Sequence, residues 1–361
     1  MLNKENWEET KAHFERWWNR EGIGRPLFHA EARKAGAPAA AEPVPASEED
    51  VHIGVAYTDA RVRERARRHV YLAESYPYAD LNIGPGSLAV YLGAEPVFRY
   101  DTVWFRECVE DFRAHGEIRY LPDNVWFRRH LESARALRAL AGQDYVATIP
   151  DLVEGPDILS AMRGGESFCF DLIDEPELIR QRLDELNRVY PAYYDAFRDA
   201  TAYEPDLSQY TGFRILGRGR IAKIQCDVSA LMNMRQFEEF VMPTLRAQAR
   251  WLDRTLYHLD GVDCIKFADL ILGIPELDAL QWTPGAGKAD GLDESWFPIY
   301  DKVHRAGKGI WASTELPENR VRDALEVFYR RYGSAGVYIH LPAYGEEFMR
   351  ELIRYAEQNW R

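Results

Sequence analysis

From residue 145 to the C-terminus the chain alternates between short apolar runs and longer amphipathic stretches, and this rhythm constrains the fold more than any other feature. The extended runs are 145–152, 221–228, 255–259, 277–282, 309–313 and 336–340. The helical stretches that separate and follow them are 157–162, 176–203, 235–253, 264–272, 296–306, 317–332 and 346–360. Apolar positions three and four apart mark the helices; β-branched and aromatic runs bounded by Gly, Pro or Asp mark the strands. Strand–helix units in such succession predict a parallel sheet covered by helices. Residues 26–32, Pro-Leu-Phe-His-Ala-Glu-Ala, read as a first strand, and one or two less legible strands bring the count near eight. No G-x-G-x-x-G follows that first strand. A (β/α)8 TIM barrel is therefore expected rather than a doubly wound dinucleotide-binding sheet, and no nucleotide cofactor.

Before the alternation begins, residues 3–20 read as an amphipathic helix carrying Trp7, His13, Phe14, Trp17 and Trp18. Gly22, Gly24 and Pro26 break it, which sets residues 1–25 apart as a helical extension and leaves 26–361 for the barrel. The paired tryptophans suggest a homodimer contact. Residues 35–48 are Ala/Pro-rich and read as a loop, and 58–75 as a charged helix whose Arg61, Arg63, Arg65, Arg67 and Arg68 form a solvated face. A glycine-rich turn at 84–87 opens a short helix without the pattern of a phosphate loop. Residues 96–106 look extended, and 123–141 helical.

The net charge of −13, from 45 basic and 58 acidic residues, disfavours nucleic acid and anionic membrane as partners and leaves a small molecule as the expected ligand. No apolar run approaches the ~20 residues of a membrane span. The polar, acidic N-terminus does not read as a signal peptide, and the four cysteines (108, 169, 226, 264) form no CxxC pair. A cytoplasmic location with reduced thiols is expected. Ten tryptophans exceed what packing usually requires, so some are expected to wall a pocket or to stack on sugars.

In a barrel of this class the chemistry gathers at the C-terminal ends of the strands. Those ends carry His29 and Glu31; Asp151 and, just beyond, Glu154; Gln225, Asp227 and Ser229; His258 and Asp260; Gln281 and Trp282; Trp311, with Ser313 and Glu315 beyond it; and His340. His258 and Asp260 share one side of a strand because side chains alternate, and Gly261 lets the chain turn after them. Together with His340 they offer two imidazoles and a carboxylate, a set suited to zinc with an open position or another divalent metal such as non-haem iron. His258, Asp260, Asp227, Asp151 and Glu154 are the candidate catalytic groups. His29, Glu31, Gln225, Gln281, Trp282 and Trp311 are the candidate substrate-binding groups. Without a metal, Asp151, Asp227, Asp260 and Glu154 could serve as acid and base in glycoside cleavage, with Trp282 and Trp311 (and Trp17 or Trp18) stacking on sugar faces.

Gln225-Cys-Asp-Val-Ser-Ala-Leu-Met, Phe237-Glu-Glu-Phe-Val-Met-Pro, Tyr257-His-Leu-Asp-Gly and Leu280-Gln-Trp-Thr-Pro-Gly-Ala-Gly resemble uroporphyrinogen decarboxylase-like proteins. So do Gly84-Pro-Gly-Ser-Leu-Ala, Thr102-Val-Trp-Phe and Ile149-Pro-Asp-Leu-Val-Glu; the resemblance runs from about residue 70 to the end. It implies a (β/α)8 barrel in a superfamily that includes porphyrinogen decarboxylases, zinc-dependent corrinoid methyltransferases and cobalamin-independent methionine synthases. The arginine-rich motif of the decarboxylases is missing; Arg25-Pro-Leu-Phe stands near its place. The methyltransferases' zinc-binding His-x-Cys pair corresponds to His258-x-Asp260, and their later cysteine falls near His340. The resemblance thus implies a metal-assisted, methyltransferase-type enzyme on a small substrate rather than a porphyrinogen decarboxylase. Any corrinoid is expected on a separate partner protein.

Overall fold

The computed structural model describes residues 1–360. Its strands, in chain order, are β1 (Leu27–Arg33), β2 (His69–Ala73), β3 (Tyr78–Ala79), β4 (Glu95–Phe98), β5 (Val103–Arg106), β6 (Val146–Ala147), β7 (Leu207–Tyr210), β8 (Ile215–Arg218), β9 (Ile221–Ile224), β10 (Arg254–Asp260), β11 (Ala279–Thr283), β12 (Gly309–Ser313) and β13 (Val337–His340). Seven of them form the central sheet in the order β2-β1-β13-β12-β11-β10-β9, parallel throughout except for β2, which runs antiparallel to β1. Parallel strands covered by helices are buried on both faces, which is why these segments read as apolar runs rather than as strict alternations. All four residues of β9 are buried, as are the first four of β11 and of β12.

The expected ring of strands is not one continuous hydrogen-bonded sheet among the described residues. β3 and β6 form a separate parallel pair, and a single parallel bridge, Ile149 to Tyr210, ties the end of β6 to the end of β7. What stands is a mixed α/β fold with a central, mostly parallel sheet and many helices around it.

Three further differences from the sequence reading bear on the site. The charged helix ends at Arg68, and residues 69–73 continue as the edge strand β2 rather than as helix. The alternating His-Val-Tyr-Leu-Ala gains ladder partners along β1, from His69 opposite Arg33 to Ala73 opposite His29. β7 and β8 form an antiparallel hairpin that the sequence reading passed over. Finally, the helix Trp7–Trp18 does not offer its tryptophans to a partner. Trp17 and Trp18 are each 1% exposed, and their indole N–H groups donate to the carbonyls of Gly336 (3.0 Å) and Leu216 (2.8 Å). Gly336 immediately precedes β13, so this helix covers the end of the sheet opposite the candidate site. No helix among the described residues is long and apolar enough to cross a membrane.

Candidate functional site

β9 and β10 are paired neighbours, with Ile224 opposite Tyr257, so their C-terminal ends emerge side by side. Just beyond that ladder, β10 presents His258 and Asp260, and the segment after β9 presents Asp227. One ligand atom from each of Asp227, His258 and Asp260 lies within 4.8 Å of the others. Both carboxylates are open to solvent and the imidazole is half-buried. Gly261, at φ +77°, turns the chain away directly after Asp260.

The imidazole is held in one orientation. His258 stands opposite Gln281 in the β10–β11 register, and its Nδ1 bonds the Gln281 Oε1. The Gln281 amide is itself fixed, because its Nε2 donates to Thr283 Oγ1 at 2.8 Å. An amide oxygen can only accept, so Nδ1 carries the proton and Nε2 keeps its lone pair for a ligand. Burial, followed by the charge of Lys223, holds the imidazole below its ordinary value, which favours this neutral form.

Asp227 is anchored from behind by a polar chain. Gln225 Nε2 donates to Asp227 Oδ2 (2.7 Å) and lies 3.3 Å from Asp157 Oδ2; Asp157 in turn accepts the backbone N–H groups of Asp227 (2.9 Å) and Val228 (2.8 Å). Lys223 bonds Gln225 Oε1 and pairs with Asp151 at 2.8 Å. Lys223, Gln225 and Asp227 lie two apart, so one face of the β9 segment supplies all three. Although Asp227 keeps an exposed edge, partial burial of its carboxyl and then the negative charge of Asp157 push it up to about 7, with Asp260 and Asp151 adding to the effect. Burial also raises Asp157. Carboxylates so crowded are under-compensated, and a cation among them would relieve the repulsion.

The other expected site residues are distributed differently. His340 does not join His258 and Asp260. β13 lies three strands from β10, and His340 stacks on His29 at 4.4 Å, with its Nε2 3.2 Å from the Tyr338 hydroxyl. Burial holds both stacked imidazoles well below their ordinary value. Asp227 thus stands where His340 was expected in the ligand set. Glu31 is buried and bonds Arg65. Glu154 is not part of the cluster: it is buried beside the Gln248 side chain, and its Oε2 has no partner among the described residues. Trp282 is fully buried against Trp296, Trp311 is 4% exposed, and Trp17 and Trp18 are on the far side, so none of these offers an open face to a sugar. Ser229 bonds the Cys226 carbonyl, and burial raises the thiols of Cys226 and Cys264, as expected of core cysteines.

The β7–β8 hairpin supplies what the sequence reading missed. Its turn reaches across the strand ends: the Phe213 ring packs on His258 (4.9 Å between centroids) and on Trp311 (5.3 Å), and its carbonyl accepts from Trp311 Nε1 at 2.9 Å. Arg214 follows at φ +54°, and its carbonyl accepts from the Tyr338 hydroxyl at 3.2 Å. Lys223 and Asp157 were missed as well. A lysine in the middle of an apolar strand was the available signal for the first; Asp157, just inside a helix after Pro156, sits where a first-turn acid is ordinary and so carries no signal of its own.

No family model matches the chain, and no curated protein matches it in sequence. Among solved structures it is similar to a methyltransferase from Methanosarcina mazei, with a TM-score of 0.58 and 14% identity over 98% of this chain and 99% of that one. At that identity the likeness establishes a shared fold over nearly the whole of both chains.

Proposed function

We propose that this chain is a metal-assisted enzyme of the methyltransferase type acting on a small molecule, with Asp227, His258 and Asp260 as its metal ligands. The observation that carries this reading is the convergence of their three ligand atoms within 4.8 Å at the ends of neighbouring strands. The donors fit a divalent ion. Two carboxylate oxygens and a neutral imidazole nitrogen suit a catalytic zinc site, or iron or manganese, with further positions left for water or substrate. Gln281 fixes the imidazole that binds the ion, and Asp157 and Gln225 fix the carboxylate opposite it. Once bound, the ion supplies Lewis-acid polarisation of a substrate atom.

The same proposal extends to the fold. The parallel β3–β6 pair and the parallel bridge from Ile149 to Tyr210 add further parallel pairings to those of the central sheet, which supports a distorted (β/α)8 barrel over 26–361 with residues 1–25 as an extension sealing one end. The shared fold with a methyltransferase supports the reaction type. A corrinoid carried by a separate protein is compatible with the open, solvent-facing carboxylates. The test is to incubate chelator-stripped and metal-reloaded protein with 13C-methyl amines, thiols and methoxy-aromatics, using reduced cobalamin as acceptor and NMR as readout. Transfer that depends on the metal is expected; no transfer under either condition rejects the reaction type.

A second reading has one observation in its favour. Asp227, raised to about 7, has an oxygen within 4.8 Å of one of Asp260, so an acid and a carboxylate stand side by side, the two groups that metal-free glycoside cleavage uses. The buried tryptophans weigh against it. Hydrolysis of aryl glycosides in the presence of a chelator, abolished by Asp260→Asn, would favour it over the metal reading.

A further inference from the structure

Apart from the Asp227 cluster, the structure holds a cavity of about 280 Å³. It opens between the helix Val55–Arg68, the start of β2 and the end of β3, and Arg214 of the β7–β8 turn reaches into it. Its charge is opposite to that of the molecule. The chain carries −13 overall, yet the cavity is lined by four arginines, Arg61, Arg65, Arg68 and Arg214, against the two acids Glu42 and Asp80.

Two of these arginines have donors to spare. Arg65 is bonded through Nε to Glu31, and neither of its terminal nitrogens meets a protein acceptor among the described residues. Arg214 bonds only its own turn's Gly212 carbonyl (2.6 Å) and sits 3.6 Å from Asp80, while its guanidinium lies flat on Tyr78 at 4.0 Å. A stacked guanidinium loses little freedom when it grips a planar or tetrahedral oxyanion, so the fork is pre-set. A separate observation points into the same space. Thr58 lines the cavity, is 5% exposed, and its Oγ1 has no hydrogen-bond partner among the described residues. A buried hydroxyl is rarely left unpaired unless something else satisfies it.

We propose that this cavity is an oxyanion-binding subsite, in which Arg214 and Arg65 grip a carboxylate or phosphate group of a small molecule and Thr58 Oγ1 donates to it. The volume suits one charged group rather than a whole ligand. The Phe213–Arg214 turn joins the two regions, since Phe213 packs on His258 while Arg214 lines the cavity. That a molecule anchored here is the substrate rests on the catalytic reading of the Asp227 cluster; the oxyanion binding does not.

The test is calorimetry on the full chain after chelator stripping and desalting, so that neither a metal at Asp227 nor a competing polycarboxylate is present. The titrants are inorganic phosphate, succinate and citrate, with glycerol as the neutral control. Saturable one-site binding of phosphate or of a carboxylate is expected, and whichever binds more tightly identifies the group. Losing one charge-assisted contact weakens it by about tenfold or more in Arg214→Gln, with part restored in Arg214→Lys. Arg61→Gln, a change on an exposed face that leaves the packing intact, is expected to weaken it less, and Arg235→Gln, far along the surface, to leave it unchanged. Absence of saturable binding by all three anions overturns the proposal. So does binding that Arg214→Gln and Arg61→Gln, both with wild-type melting behaviour, leave untouched.

Discussion

Glu154 provides a prediction whose size can be worked from the structure. Its carboxyl is 3% exposed, lies beside Gln248, leaves one oxygen unpartnered, and is pushed by burial from 4.5 up to about 8. The folded protein therefore keeps a proton that the unfolded chain releases above about pH 4.5. Because the folded value is raised, the associated stability is fully present below about pH 4.5 and is lost as pH climbs through about 8. At 1.36 kcal/mol per pKa unit, holding that proton costs about 1 kcal/mol at pH 5, about 3 at pH 7 and about 5 above pH 8. Glu154→Gln keeps the shape and removes the ionisation. Its stability relative to wild type should therefore rise by about 4 kcal/mol between pH 5 and pH 8.5. With an unfolding entropy of about 2.1 cal/mol/K per residue over 361 residues, that is a relative gain of about 5 °C in Tm. Paired thermal scans at the two pH values measure it, and other titrating groups cancel in the difference. A gap between variant and wild type that is the same at pH 5 and pH 8.5 would refute the reasoning.

Other consequences follow from the same contacts. Gln281→Leu leaves His258 in place but removes the acceptor that fixes its Nδ1 proton, so affinity for a divalent ion should fall by about 10–100-fold with little change in melting temperature. Unchanged affinity would mean that Gln281 does not orient the ligand. Trp18→Ala should destabilise the chain by about 3–5 kcal/mol, because it empties a fully buried site and leaves the Leu216 carbonyl without its donor. A loss below about 1 kcal/mol by urea titration would show that the N-terminal helix is not integral to the core.

The legible part of this chain was the part whose pattern is set locally. The helices from Glu318–Tyr332 to Glu346–Asn359 and the strands from β10 to β13 fall within a few residues of their sequence assignments, because their apolar spacing is regular and their ends carry Gly or Pro. His258 and Asp260 were visible for the same reason, since period two on a strand puts them on one side. The third member of the set was not, because no local pattern says which distant strand end closes on β10. Strand order decides that: β9 is hydrogen-bonded to β10, whereas β13 lies three strands off. The 207–218 hairpin was hidden because its turn, Thr211-Gly-Phe-Arg, follows a long helix and interrupts the βα rhythm with an antiparallel pair. Arg65 looked like a solvated charge because its helix carries a run of arginines; its ion pair with Glu31 on β1 and the arrival of Arg214 from a distant turn are long-range contacts that no local pattern shows.

The proposed role of Asp227, His258 and Asp260 is to hold a divalent cation. Its most direct test is calorimetric titration of Zn²⁺ and of Mn²⁺ into chelator-stripped protein, wild type beside Asp260→Asn, a substitution at an exposed position. Wild type is expected to bind one equivalent, with affinity reduced by tenfold or more in the variant. No binding of either ion, or one equivalent bound equally well by Asp260→Asn, would contradict it.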